Sequence, residues 1–391
     1  MMVLTSFNRI LGQTMCVQLP KRYITSKALR ASLGLSDQKK PAPFPYKEKN
    51  YTFLRSLFDK TTQRFDDNTK LILLEGPVGI GKTAVGKQLA DELGMHFMPD
   101  VTMDSYYIND YGYDMRKLDP QLPVNCRSFD EKNFLETPDH FNAAAFQIIK
   151  FKLRYAYYID ALAHLLNTGD GVIIERSPFS DFVFMEAMYK CKYVSRTAYD
   201  IYYTLHRHAL PDLLNPHLVV YLDVPVPKLL EKAKEKKVNS KAMNTTYLEC
   251  MDDKLKSKFL REISLKSEVL VYDWSEGGNA EVIVEDIERL DFDNYAADSP
   301  KIQDWCYSRE QYWADVRMKY TNDKDVLMAN FDVPIVDAPE LNIPGEEIEV
   351  LTVSYIQAPG NTHEEGYDPK YHKLSEILFK TKDTKKWDPV S

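Results

Sequence analysis

Eight consecutive residues, Gly76-Pro-Val-Gly79-Ile-Gly81-Lys82-Thr83, carry the most specific chemistry in the chain. They match the spacing G-x-x-x-x-G-K-[ST], in which backbone N–H groups cradle phosphate oxygens. Gly76, Gly79 and Gly81 permit positive φ and close backbone approach, so successive N–H groups can converge on an anion. Lys82 supplies a positive charge toward the β- and γ-phosphates, and Thr83 can ligate magnesium. Such a site needs a carboxylate to place the metal. Among the acids that close apolar runs, Glu175 and Asp223 are the candidates. Glu175 ends Gly-Val-Ile-Ile-Glu and is followed by Arg176-Ser177, whereas Asp223 precedes Val-Pro-Val-Pro. Glu175 and Arg176 are read as functional, and Asp223 as a strand-end acid before a turn.

The elements that must position these groups alternate between strand and helix. Apolar runs at Leu71–Glu75, His96–Met98, Gly171–Glu175, His217–Val224 and Glu268–Trp274 read as buried strands, with helix-length segments between them. That alternation predicts an α/β fold, a P-loop parallel sheet with helices on both faces. Val85, Leu89 and Leu93 fall one helical turn apart, and Gly94 is a natural stop. A longer helix is expected over 141–167. Its apolar stripe is Ala145, Ile148, Ile149, Ala156, Ile159, Ala163 and Leu166. Gln147, Arg154 and Tyr158 fall opposite that stripe, facing water by default or else a cleft.

The flanks differ from this core. Residues 1–36 hold five basic residues, Arg9, Lys21, Arg22, Lys27 and Arg30, and no acid before Asp37. That is the profile of a mitochondrial transit peptide and leader, with cleavage expected near Arg22-Tyr23-Ile24. Residues 37–69 read as a proline-containing N-terminal arm, 70–290 as the P-loop domain, and 291–391 as an irregular, aromatic C-terminal extension suited to contacting a partner. Within that extension, GEEIEVLTVSYI (345–356) reads as a strand. Deleting 291–391 is expected to leave nucleotide binding largely intact.

Composition narrows the function. A net charge of −8 argues against a general nucleic-acid-binding surface. No apolar run approaches the ~18 residues of a membrane-spanning helix. The five cysteines are scattered with no C-x-x-C pair, which gives no iron–sulfur or zinc framework. His206 and His208 lack metal-ligand spacing. No G-x-G-x-x-G fingerprint supports FAD or NAD.

The P-loop, the Glu175-Arg176-Ser177 strand end and Phe146-Gln147 on a long helix together resemble the deoxyribonucleoside kinase family over about residues 70–290. The resemblance implies that Gln147 hydrogen-bonds a nucleobase, that Arg176 stabilises the reacting phosphoryl region and that Glu175 helps hold Mg2+. Two features depart from active kinases. The family's general base is a Glu after the second strand, and here HFMPDVTMD offers Asp100, one methylene shorter. A shift on the order of 1 Å at such a position can cost ~100-fold. The lid stretch PKLLEKAKEKKVNS (227–240) has lysines and no arginine, and lysine lacks the planar fork that grips phosphate bidentately.

ERSPFSDFVFMEAMY (175–189), PHLVVYLDVPVP (216–227), the leader and the extension are further similar to a kinase-like family of accessory subunits of mitochondrial respiratory complex I. That resemblance implies a matrix-side, non-redox role in assembly or stability, the other complex I subunits as partners, peripheral attachment to the inner membrane, and a purine nucleotide (ATP or deoxynucleotide type) in the cleft. The alternative implied by the first family is an active mitochondrial kinase that transfers the ATP γ-phosphate to a deoxynucleoside 5′-hydroxyl, with Asp100 and Arg176 catalytic.

Overall fold

The computed structural model describes residues 23–33, 40–109, 112–235, 240–292 and 299–358. Five strands form one parallel sheet: β1 (Leu71–Glu75), β2 (His96–Met98), β3 (Val172–Glu175), β4 (Leu218–Asp223) and β5 (Glu268–Asp273). Their order is β2-β3-β1-β4-β5. β1 pairs with β3 in the register Leu74↔Glu175 and with β4 in the register Leu74↔Val220. The central strands are apolar throughout because both faces are covered.

Alternate residues feed two cores. Leu71, Leu73, Ile174 and Tyr221 pack on the side of the long helix Ala143–Thr168. Ile72, Leu74, Ile173 and Leu222 pack with Val85, Leu89 and Leu93 of the P-loop helix Lys82–Leu93, and with Ile283 and Ile287. Gly94 ends that helix in the left-handed conformation at φ 66°, as its position implies.

Two expectations fail, on the long helix and in the C-terminal segment. Gln147, Arg154 and Tyr158 do not face water, being 3, 6 and 0% exposed. The long helix is covered all round, by the sheet, by helix Arg196–Ala209 and by helix Glu310–Asn322, so a single apolar stripe does not describe it. Residues 345–356 form a helix rather than a strand. Leu351 and Tyr355, four residues apart, turn inward against Met115, Leu118, Leu122 and Cys126.

Nor does the chain's body stop at residue 290. Trp313, Tyr320, Leu327, Met328 and Ala338 belong to the main core. Arg317 is fully buried, donating to Asn167 Oδ1 at 2.8 Å and to Asp59 Oδ2 at 3.2 Å.

The N-terminal side behaves similarly. Residues 1–22 and 34–39 of the basic leader lie outside the described residues. Tyr23 bridges to Asp291, Ile24 is buried, and the Ser26 N–H donates to Glu288 Oε1 at 2.8 Å. Part of the 1–36 segment is therefore built into the body. Of the lysine-rich stretch 227–240, residues 236–239 also lie outside the description.

Candidate functional site

The site forms where β1 meets β3, at the carboxyl ends of the strands, where open α/β sheets bind ligands. Gly76, Gly79 and Gly81 all have positive φ, at 146°, 81° and 87°. At Gly76 a Cβ would lie 2.5 Å from the Leu222 carbonyl oxygen, so only glycine fits between the loop and β4. At Gly79 and Gly81 a Cβ would meet nothing within 4 Å. The loop is thus tight at its root and open at its crown, the shape of a backbone nest for an anion.

Lys82 is buried, and its Nζ donates to the Pro77 carbonyl at 2.6 Å. Burial, helped by the nearby Arg176 charge, pulls the ammonium down to about 7 against the pull of Glu175, Glu75 and Asp100. Thr83 Oγ1 donates to Glu175 Oε2 at 2.8 Å. The structure therefore brings the two expected metal-side oxygens together. Among the described residues, no group of three or more His, Cys, Asp or Glu could hold a metal ion.

Arg176 follows directly on β3 in the left-handed region at φ 64°, rare for a residue with a side chain. Its N–H donates to the Leu74 carbonyl at 3.1 Å, which stitches the turn to β1. Its guanidinium lies 3.6 Å from Asp100 and 4.0 Å from Glu75. The Phe184 ring carries both Arg176 and Arg154, each 4.8 Å from the centroid, in cation–π geometry.

Asp100 lies just past β2 and accepts two hydrogen bonds from Arg154, at 3.0 and 2.9 Å. Burial works to raise its carboxyl. Arg154, with Lys150 and Arg176 behind it, overrides burial and holds the carboxyl at about 2. Gln147 donates from Nε2 to Asp181 Oδ2 at 2.9 Å, and the same oxygen accepts from the Tyr202 hydroxyl at 2.6 Å. Arg154 Nη1 reaches the other oxygen of Asp181 at 2.5 Å. Burial raises the Asp181 carboxyl, opposed by Arg154, Tyr202 and Gln147.

Sequence reasoning did not single out Arg154, Asp181, Phe184 or Glu75 as site residues. Arg154 had a readable signal, because it follows Gln147 by seven residues and so shares its helix face. Glu75 had none. It is fully buried, with Oε1 accepting from Ser177 at 3.0 Å and Ser180 at 2.6 Å, while Oε2 lacks a hydrogen-bond partner. Burial raises its carboxyl, although Arg176, both serines and Lys82 oppose the rise.

The geometry joins the glycine loop at 76–81 to a polar cluster on the long helix, and known proteins resemble this chain. The deoxynucleoside kinase family model matches residues 72–306. The mitochondrial NADH dehydrogenase (ubiquinone) 1 alpha subcomplex subunit 10 of Bos taurus is 32% identical over 316 residues, 80% of this chain and 88% of the relative. The Mus musculus protein of the same name is 33% identical over 80% of this chain and 84% of its own. The deoxyguanosine kinase of Dictyostelium discoideum is 25% identical over 71% of this chain and 89% of that enzyme. With residues 72–306 matched by that family model and most of its length covered by these relatives, the chain belongs to the deoxynucleoside kinase family, among the relatives of the mitochondrial NADH dehydrogenase (ubiquinone) alpha subcomplex subunit 10.

Proposed function

We propose that this chain is an accessory, non-redox subunit of mitochondrial complex I, on the matrix side of the inner membrane, and that it keeps a purine nucleotide in its kinase-like cleft as a structural ligand. The identity to two subunits of that name, spread over most of both partners, supports the assembly role. The state of Asp100 carries the choice of binding over transfer. A general base works best with a pKa near the operating pH, and this carboxylate is held at about 2 with both oxygens on Arg154.

In this reading the loop from Gly76 to Lys82 binds phosphates, and Arg176 faces the phosphoryl region. Gln147 turns toward the base, with Arg154 and Asp181 fixing its orientation. Hydroxyl and carboxylate oxygens side by side fit a hard cation. Thr83 and Glu175 would hold Mg2+, which would neutralise phosphate charge. Proton abstraction by Asp100 would first require its release from Arg154. A ligand bound only by the folded form, at a hundredfold excess over Kd, stabilises it by about 2.7 kcal/mol.

The leader is processed before Tyr23, so that the Tyr23–Ser26 contacts survive in the mature chain; N-terminal sequencing of the mitochondrial protein tests this. The kinase reading retains its own support, the complete loop from Gly76 to Thr83 together with Glu175, Arg176 and Gln147. Native electrophoresis of mitochondrial extracts tests the assembly reading. Co-migration with complex I is expected, and a free small oligomer would refute it. Phosphorylation of a deoxynucleoside by the purified chain, lost in Lys82→Ala, would favour the kinase.

A further inference from the structure

The arm between Tyr51 and Asp59 presents an apolar tip. Phe53, Leu54, Leu57 and Phe58 are 56, 72, 55 and 87% exposed. One turn of helix, Phe53–Ser56, is capped by Thr52. Phe53 with Leu57 and Leu54 with Phe58 are each four residues apart, so each pair shares a side of the turn.

The tip is held firmly from below. The Tyr51 N–H donates to Asn322 Oδ1 at 3.0 Å, and Asn322 Nδ2 donates back to the Tyr51 carbonyl at 2.6 Å. Arg317 lies over the Tyr51 ring at 3.8 Å and pairs with Asp59 at 3.2 Å. Both ends of the turn are therefore clamped to helix Glu310–Asn322, and the apolar side chains are displayed on a fixed base.

Charge identifies the complement. Lys47, Lys49, Arg55 and Lys60 are exposed in the 47–60 arm, where Glu48 is the exposed acid, while Asp315 and Asp323 are exposed on the clamping helix and at its end. Asp59 is taken up by Arg64 and Arg317, with Arg55 at 4.0 Å. A positive rim on a chain of net charge −8 runs against the overall sign. Apolar and aromatic side chains within a basic rim match an anionic lipid interface, where the tip enters the headgroup–acyl boundary and the bases meet lipid phosphates. The geometry points to the 47–60 arm as a monotopic contact with anionic membrane. This goes beyond the proposed assembly role and does not depend on it, because the arm would hold lipid whether or not the chain enters a complex.

Flotation of the full chain with phosphatidylcholine vesicles, with and without cardiolipin (about four to one by mole), tests the inference. The wild-type chain floats with the anionic vesicles and far less with neutral ones. The double substitution Leu54→Ser/Phe58→Ser lowers the bound fraction about tenfold, and Lys47→Glu/Lys49→Glu removes the preference for cardiolipin. Thermal melting of both variants stays at the wild-type value, since the changed side chains are exposed. A wild-type chain that ignores anionic vesicles, or a Leu54→Ser/Phe58→Ser chain that floats as well as wild type, overturns it. So does a vesicle-inert arm whose mutation removes the chain from a complex or abolishes self-association, because a protein then owns the patch. Failure to co-migrate with complex I would overturn the assembly role and leave the vesicle result standing.

Discussion

Asp100 and Arg154 meet as a two-point ion pair, Nε to Oδ1 at 3.0 Å and Nη2 to Oδ2 at 2.9 Å. The third nitrogen of Arg154 is committed to Asp181. One guanidinium thus serves the carboxylate expected to act as a base and the carboxylate that holds Gln147. Chemistry and recognition are tied to the same side chain, and loosening one loosens the other.

Replacing Arg154 with Met leaves buried Asp181 without its cation and Asp100 with Arg176 alone at 3.6 Å, and should cost about 3–5 kcal/mol in urea denaturation at neutral pH. The acid limb carries the sign. Asp100 is depressed from 3.8 to about 2 in the folded state. Its stabilising contribution is present above 3.8 and is lost as pH falls toward 2, on the order of 2 kcal/mol. The variant should lose less across that window than the wild type, and equal losses would count against the pairing.

Lys82 predicts a pH-dependent affinity. Its ammonium is pulled to about 7 in the folded protein from 10.5. Bound phosphate favours the charged form, so nucleotide affinity should fall as pH rises above 7, by at most about tenfold per unit. The free protein should show the opposite trend. It binds fewer protons than the unfolded chain between 7 and 10.5, and gains stability as pH rises through that window. Calorimetric titration across this range should show the fall, and Lys82→Met should flatten it.

The two ends of the phosphate loop should respond differently to a methyl group. Gly76→Ala places it 2.5 Å from the Leu222 carbonyl oxygen at φ 146°, and β4 must move. Gly79→Ala meets nothing within 4 Å and bears the left-handed backbone cost, about 1–2 kcal/mol. Thermal melting should rank Gly76→Ala as clearly the more damaging change.

Arg317→Met should cost about 1–3 kcal/mol, because it takes one of two cations from part-buried Asp59, which keeps Arg64, and leaves the buried Asn167 Oδ1 without its donor. Truncation at 290 would remove the same clamp together with Trp313 and Tyr320. Loss of nucleotide binding on truncation would then follow from loss of the core. Chemical denaturation of Arg317→Met measures the effect, and a change under about 1 kcal/mol would show that the clamp is dispensable.

The sheet and the backbone of the glycine turn at 76–81 were legible because their signals are local. Val172-Ile-Ile-Glu175 and Leu218–Asp223 are strands buried on both faces and read as unbroken apolar runs. The P-loop glycines announce their φ values by spacing. What stayed hidden depends on residues far apart in sequence. Gln147 and Tyr158 look solvent-facing until Asp181 and Tyr202 close over the first and the Leu214 carbonyl accepts from the second. Residues 345–356 have the β-branched content of a strand, and their helical packing is decided by the partners Met115, Leu118 and Leu122. Glu75 looks like an ordinary strand end, and its two serine partners lie more than a hundred residues away.

The most direct test of a retained structural nucleotide is mass spectrometry of the small molecules released when the natively purified chain is denatured, with Lys82→Ala as control. The account predicts a purine nucleotide at one per chain in the wild type and its loss in the variant. A wild-type chain that releases none would contradict it, and the loop from Gly76 to Thr83 would then be a turn kept for the fold.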